Sequence, residues 1–164
     1  MDMQARQQVY EKLKSLGIEY KIIEHPAVYT IEEMDALGIT LRADICKNLF
    51  VRDAKGKKHF IIVLCKDKRA DLKNIEQQLG STRLSFGSDE RLYKYLKLKK
   101  GEVSPLGIIN DVNCEVEVVF DKDLKGNPNL GVHPNDNTAT VILSFDNLMH
   151  FVEDNGNTIH YVTV

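Results

Sequence analysis

Six consecutive apolar residues, FIIVLC at 60–65, stand between two charged stretches, KGKKH and KDKR. A run this short falls below the length of a buried helix. It is also rich in β-branched side chains and does not alternate with polar ones, so both of its faces must be covered. The chain therefore has to supply a sheet with this strand inside it. The turn AKGK places Asn48 to Asp53 ahead of Lys58 to Cys65 as the two arms of a hairpin.

The remaining elements follow from periodicity and punctuation. Val9, Leu13 and Leu16 form one stripe of an N-terminal helix that stops at Gly17. Ile18 to Ile23 reads as a short strand ending at His25-Pro26. Thr30 and Glu33 make a capping box for the short helix IEEMDAL, closed by Gly38. Leu72, Ile75 and Leu79 predict a helix ending at Gly80, and Leu92 and Leu96 predict another through RLYKYLKLKK. In CEVEVVF, Cys114, Val116, Val118 and Phe120 alternate with glutamates, which predicts a strand with one wet face. ATVILSF predicts a buried strand, FDNLMHFVEDNG a helix and TIHYVTV a last strand. Strands and helices interleave without strict βαβ alternation. The fold class is accordingly α+β: a single domain over 1–164 with a mixed, mostly antiparallel sheet and surrounding helices.

Composition narrows the function. No apolar run reaches the roughly 18 residues of a membrane span, and MDMQARQQVYEKLK is charged throughout, so a cytoplasmic protein without membrane partners is expected. Cys46, Cys65 and Cys114 are widely spaced, with no CxxC pair, and the five histidines show no metal-ligand spacing. Neither a metal nor a cofactor is expected. Phosphate loops, dinucleotide fingerprints, HExxH and nucleophile elbows are absent from the sequence. The net charge of -2 conceals a basic middle, since residues 42–100 hold 16 Lys and Arg against 7 Asp and Glu. Folded onto one face, that excess would suit phosphates; spread out, it would be the solvated surface of helices and a hairpin.

Three segments admit a site. Lys47 and Asn48 open the hairpin, where a lysine either faces water or is held as a fixed cation. In GEVSPLG, Gly101, Pro105 and Gly107 set a turn that is either an ordinary loop or a cradle of N–H donors. His133 lies between Gly131 and Pro134, as a structural or a functional loop histidine. Cys46 beside Lys47 has no identifiable base and reads as a small buried residue.

In their order along the chain, KNLFVRDAKGKKHF, RLSFGSDERL, GEVSPLGIIND and GVHPNDNTATV resemble the freestanding prolyl-tRNA editing proteins, relatives of the insertion domain of bacterial prolyl-tRNA synthetase. The KNLF form is similar to the alanine-specific branch. The resemblance implies a YbaK-like editing fold and a deacylase that hydrolyses the ester of mischarged proline tRNA, alanyl-tRNA(Pro) foremost. Because an aminoacyl ester is already activated, positioned water with help from the ribose hydroxyl and no covalent intermediate is the expected mechanism. Lys47, Asn48, Gly101 and His133 would be the catalytic set. Tyr29, Thr30, Ser104, Pro105, Gly107 and Asn135 would bind substrate. The acceptor end of tRNA is the implied partner, with prolyl-tRNA synthetase as a second candidate. Two alternatives stay open: a catalytically silent module that binds tRNA or synthetase, and a deacylase for another misacylated tRNA.

Overall fold

The computed structural model describes residues 3–164. Strand β3, His59–Cys65, is buried from His59 to Leu64 and lies inside the sheet, as its composition requires. It pairs antiparallel with β2, Asp44–Arg52, and parallel with β5, Val116–Asp121. The other strands are β1, Lys21–Glu24; β4, Ser85–Phe86; β6, Leu130–Val132; β7, Ala139–Leu143; and β8, Ile159–Val162. Their order is β1-β7-β6-β2-β3-β5-β8, with β4 hydrogen-bonded to β2 off this path. Antiparallel pairings outnumber parallel ones four to three, so the sheet is mixed.

Helices cover both faces. Helices α1, Met3–Ser15, α4, Asp89–Leu96, and α5, Phe145–Asn155, bury Val9, Leu13, Leu92, Leu96, Leu148 and Phe151 against Ile61, Val63, Val118 and Phe120. Helix α3, Leu72–Leu79, seats Ile75 on the opposite side with Val51, Ile62, Leu64 and Val119. Helix α2, Ile31–Ala36, covers the β1-β7 end through Met34, packed with Ile23, Val28, Ile45 and Ile142. Because α3 and α4 lie on opposite faces, the basic segment 42–100 does not gather into one surface.

Several boundaries differ from the sequence reading, each through a distant partner. Strand β2 starts at Asp44, because β6 pairs with Asp44 and Ile45; Lys47 and Asn48 are mid-strand residues rather than its mouth. Strand β5 has no fully wet face. Val119 is completely buried, since β5 lies between β3 and β8 with α3 above it. Cys114 stands outside that strand, at a φ of 53°, with its thiol on the Asn155 carbonyl at 3.1 Å. Helix α4 ends at Leu96, where Lys97 turns left-handed and the following Leu98 enters the core. The first strand begins at Lys21, later than Ile18. Strands β4 and β6 have too few residues to show a period.

Candidate active site

The sheet opens in one place. The parallel pairing of β2 with β6 lasts only through Asp44–Leu130 and Ile45–Gly131, and β4 rejoins that edge at Val51 and Arg52. Ile45 accepts from the Lys66 N–H on the β3 side, and Phe50 accepts from the Gly87 N–H on the other. Peptide groups alternate between edges along an antiparallel strand. Asn48 therefore directs its main-chain N–H and C=O into the gap, where no strand pairs with it.

A cavity of about 250 Å³ occupies this gap. Lys47, Asn48, Gly101 and His133 all line it, as do Tyr29 and Thr30. Its apolar wall is Val28, Ile31, Met34, Ile45, Val103 and Val132. Four stretches of chain thus converge, and four of the six named polar or glycine positions come from outside the hairpin. Thr30 is fixed as the N-cap of α2, its hydroxyl accepting from the Glu33 N–H at 3.1 Å. Tyr29 lies against Gly101, whose φ is 90°; a Cβ on that glycine would come within 2.7 Å of the tyrosine ring.

The polar groups are held in defined states. Lys47 Nζ donates to the Lys68 carbonyl at 2.7 Å, so the ammonium is anchored rather than free in solvent. The Asn48 Oδ1 is buried and has no hydrogen-bond partner among the described residues. His133 Nδ1 lies 3.0 Å from the Ala139 carbonyl. A carbonyl only accepts, so the neutral ring carries its proton on Nδ1 and keeps a lone pair on Nε2. Burial holds the His133 pKa below its ordinary value, outweighing the bond to Ala139, and nearby His25 acts in the same direction as burial. Burial also pushes the Cys46 thiol far above the usual range, which removes it as a nucleophile.

Ser104, Pro105, Gly107 and Asn135 are not among the cavity-lining residues. They brace its wall from behind. Ser104 Oγ donates to the His133 carbonyl at 2.5 Å and accepts from the Leu106 N–H at 3.2 Å. Asn135, left-handed at φ 62°, donates through Nδ2 to the Leu106 carbonyl. Gly107 is pressed against Leu98, where a Cβ would come within 2.6 Å. In this turn the Glu102, Leu106 and Gly107 N–H groups bond to the Lys99 carbonyl, Ser104 Oγ and the Ser104 carbonyl. The edge at Asn48, which pairs with no strand among the described residues, offers a further main-chain donor.

Sequence reasoning missed Thr140 and Met34, which line the cavity, and Lys68, which holds Lys47. Thr140 is buried and hydrogen-bonded to His25 Nε2 at 2.9 Å. Thr140 lies on β7 in register with Ile23 of β1, a placement that is tertiary.

Comparison with known proteins decides the family. Residues 25–151 match the model of the aminoacyl-tRNA editing domain. This chain belongs to the aminoacyl-tRNA editing domain family. It is 56% identical to the prolyl-tRNA editing protein ProX of Acetoanaerobium sticklandii over 96% of each chain. It is 32% identical to the prolyl-tRNA synthetase associated domain-containing protein 1 of Danio rerio, over 93% of this chain and 84% of that one. A crystal structure of a candidate trans-editing enzyme for prolyl tRNA synthetase superposes with a TM-score of 0.75 at 21% identity, covering 100% and 99% of the two chains. The editing-domain fold and the enzyme class, an aminoacyl-tRNA deacylase, agree with the sequence reading. No helix among the described residues is long and apolar enough to cross a membrane.

Proposed function

We propose that this editing-domain protein acts in trans on proline tRNA and hydrolyses the ester between alanine and the terminal adenosine. The observation that carries the proposal is the 250 Å³ cavity into which Lys47, Asn48 and His133 converge from separate segments. Its volume lies below the range of roughly 300 to 1,000 Å³ usual for drug-sized ligands, and suits a small aminoacyl group with the nucleoside left outside. Editing of this kind has a physical motive. A pocket built for proline discriminates against a smaller side chain by only ~1–3 kcal/mol, so a second, smaller sieve is needed.

In this mechanism water attacks the ester carbonyl, charge develops on the carbonyl oxygen, the C–O bond breaks and the ribose oxygen takes up a proton. Alanine leaves as the free amino acid. The Lys47 ammonium and the Asn48 main-chain N–H supply donors that need no reorganisation as charge appears. The neutral His133 Nε2 and the Asn48 Oδ1 are acceptors for the substrate ammonium or the attacking water. The neighbouring ribose hydroxyl assists the proton transfer. An aminoacyl ester is already activated, so positioning supplies the acceleration and no covalent intermediate forms.

The test is a panel of proline tRNAs charged separately with alanine, serine, cysteine and proline. Selective loss of the alanyl ester supports the proposal. Loss of the seryl or cysteinyl ester instead would reassign the amino acid, and retention of every ester alongside tRNA binding would indicate a silent binding module. Replacing Lys47 by Ala should lower kcat/KM about 100-fold, the scale of one lost oxyanion donor.

A further inference from the structure

Lys47 presents its charge on a flexible four-carbon stem, and such a side chain places an ester only if something holds its end. The holder is the Lys68 carbonyl, 2.7 Å from Nζ. It lies in the turn after β3, which closes through the Lys68 N–H on the Cys65 carbonyl at 3.0 Å. The side chain of Lys68 is itself tied down. Its ammonium sits 2.7 Å from Asp121 Oδ2 and 2.5 Å from Asp123 Oδ2. Asp121, the last residue of β5, is 1% exposed, and its Oδ2 is the atom that faces the Lys68 ammonium. The other oxygen of Asp121 accepts from the Asp123 N–H at 3.1 Å, which ties the Asp123 backbone to the end of β5.

We infer that Lys68, Asp121 and Asp123 are positioning residues: by clamping the turn after β3 to the end of β5, they hold the Lys68 carbonyl where it fixes the Lys47 ammonium. The inference rests on the reading of Lys47 as a site residue. The chemistry favours a built clamp over a chance surface pair. Removing the cation beside a side chain as buried as Asp121 is costly, whereas an exposed pair contributes little. The carbonyl also occupies one of the three Lys47 protons and leaves two for the substrate.

The experiment is a double-mutant cycle in deacylation of alanyl-tRNA(Pro). Lys68→Ala should lower kcat about 10- to 100-fold, the effect of a misplaced catalytic group, with KM within about 3-fold. Lys68→Arg should restore most of the rate, because a guanidinium also spans two carboxylates. In the Lys47→Ala background, Lys68→Ala should cost nothing more, since the interaction it supports is already gone. Multiplying losses, or an unchanged kcat in Lys68→Ala, would overturn the clamp. If Lys68→Ala fails to fold, Asp123→Asn replaces it: this exposed arm should cost about 2- to 5-fold in kcat, again only when Lys47 is present. Ile75→Ala, in the core on α3, controls for stability and should keep its kcat.

A second readout needs no turnover. Held against a carbonyl, the Lys47 ammonium should give a slowly exchanging proton–nitrogen NMR signal in the wild type that disappears in Lys68→Ala. Persistence of that signal would sink the clamp on its own. A wild type inactive on every charged tRNA would instead sink the functional reading, and the NMR result would still decide the clamp.

Discussion

Gly131 shows how one missing carbon shapes the site. A Cβ there would come within 2.6 Å of Ile45 Cδ1 and 3.2 Å of Thr140 Cγ2, both on cavity-lining residues. The Ile45 methyl is the end of a flexible side chain and can yield, so Gly131→Ala should fold and shrink the cavity. The expected outcome is a melting temperature within a few degrees of wild type, with the alanyl ester cleaved at a KM raised about 10-fold. Unchanged KM would show that this wall does not meet the amino acid. Tyr29 makes the complementary case at the mouth. It is 67% exposed yet seated on Gly101, so one side of its ring is available for stacking. Base–aromatic stacking is worth about 1–3 kcal/mol, and Tyr29→Ala should raise KM by about 5- to 150-fold with kcat nearly unchanged, while Tyr29→Phe should not. Neither role was legible from residue type, because glycine and tyrosine at these positions acquire meaning only from what they touch.

At the scale of elements, local signals were readable and long-range ones were not. Thr30, Gly38 and Gly80 mark helix ends in the structure as the sequence reading placed them, since a cap involves neighbours within four residues. Helix α2 spans only Ile31–Ala36 and depends on its cap. Thr30→Ala should cost about 1 kcal/mol, seen as faster hydrogen exchange over residues 31–37 and a higher KM, because Met34 and Ile31 form part of the cavity wall. Equal exchange in both proteins would show that tertiary packing alone holds the helix. The start of β2 was invisible for the opposite reason. Asp44 and Ile45 become strand because Leu130 and Gly131, far along the chain, lie beside them.

For the molecule as a whole, the buried polar groups set its response to pH. His59 is 1% exposed, with ring centroids 5.7 Å from Phe50 and 4.1 Å from Tyr95, and Arg91 Nη1 lies 3.0 Å from its Nε2. Burial, followed by the nearby Arg91 charge, lowers its pKa to about 4. The unfolded chain, with a histidine pKa near 6.5, therefore binds the extra proton between about pH 6.5 and 4. His59 contributes full stability above that window and loses it as pH falls through it, by up to about 3 kcal/mol. Urea midpoints measured from pH 7 to 4 should fall more steeply in the wild type than in His59→Gln; parallel curves would remove His59 from the account. The sequence by itself determined that FIIVLC would be an interior strand, that helices would end at their glycines, and that four motifs in order would resemble an editing protein. Those properties depend on short-range sterics, apolar burial or order along the chain. Only the tertiary structure decided that β2 and β6 part after two residue pairs, that Ser104 and Asn135 brace the wall instead of lining it, and that Asp121 anchors Lys68. Each of these joins residues distant in sequence, where contact is set by how the packed layers close rather than by residue type.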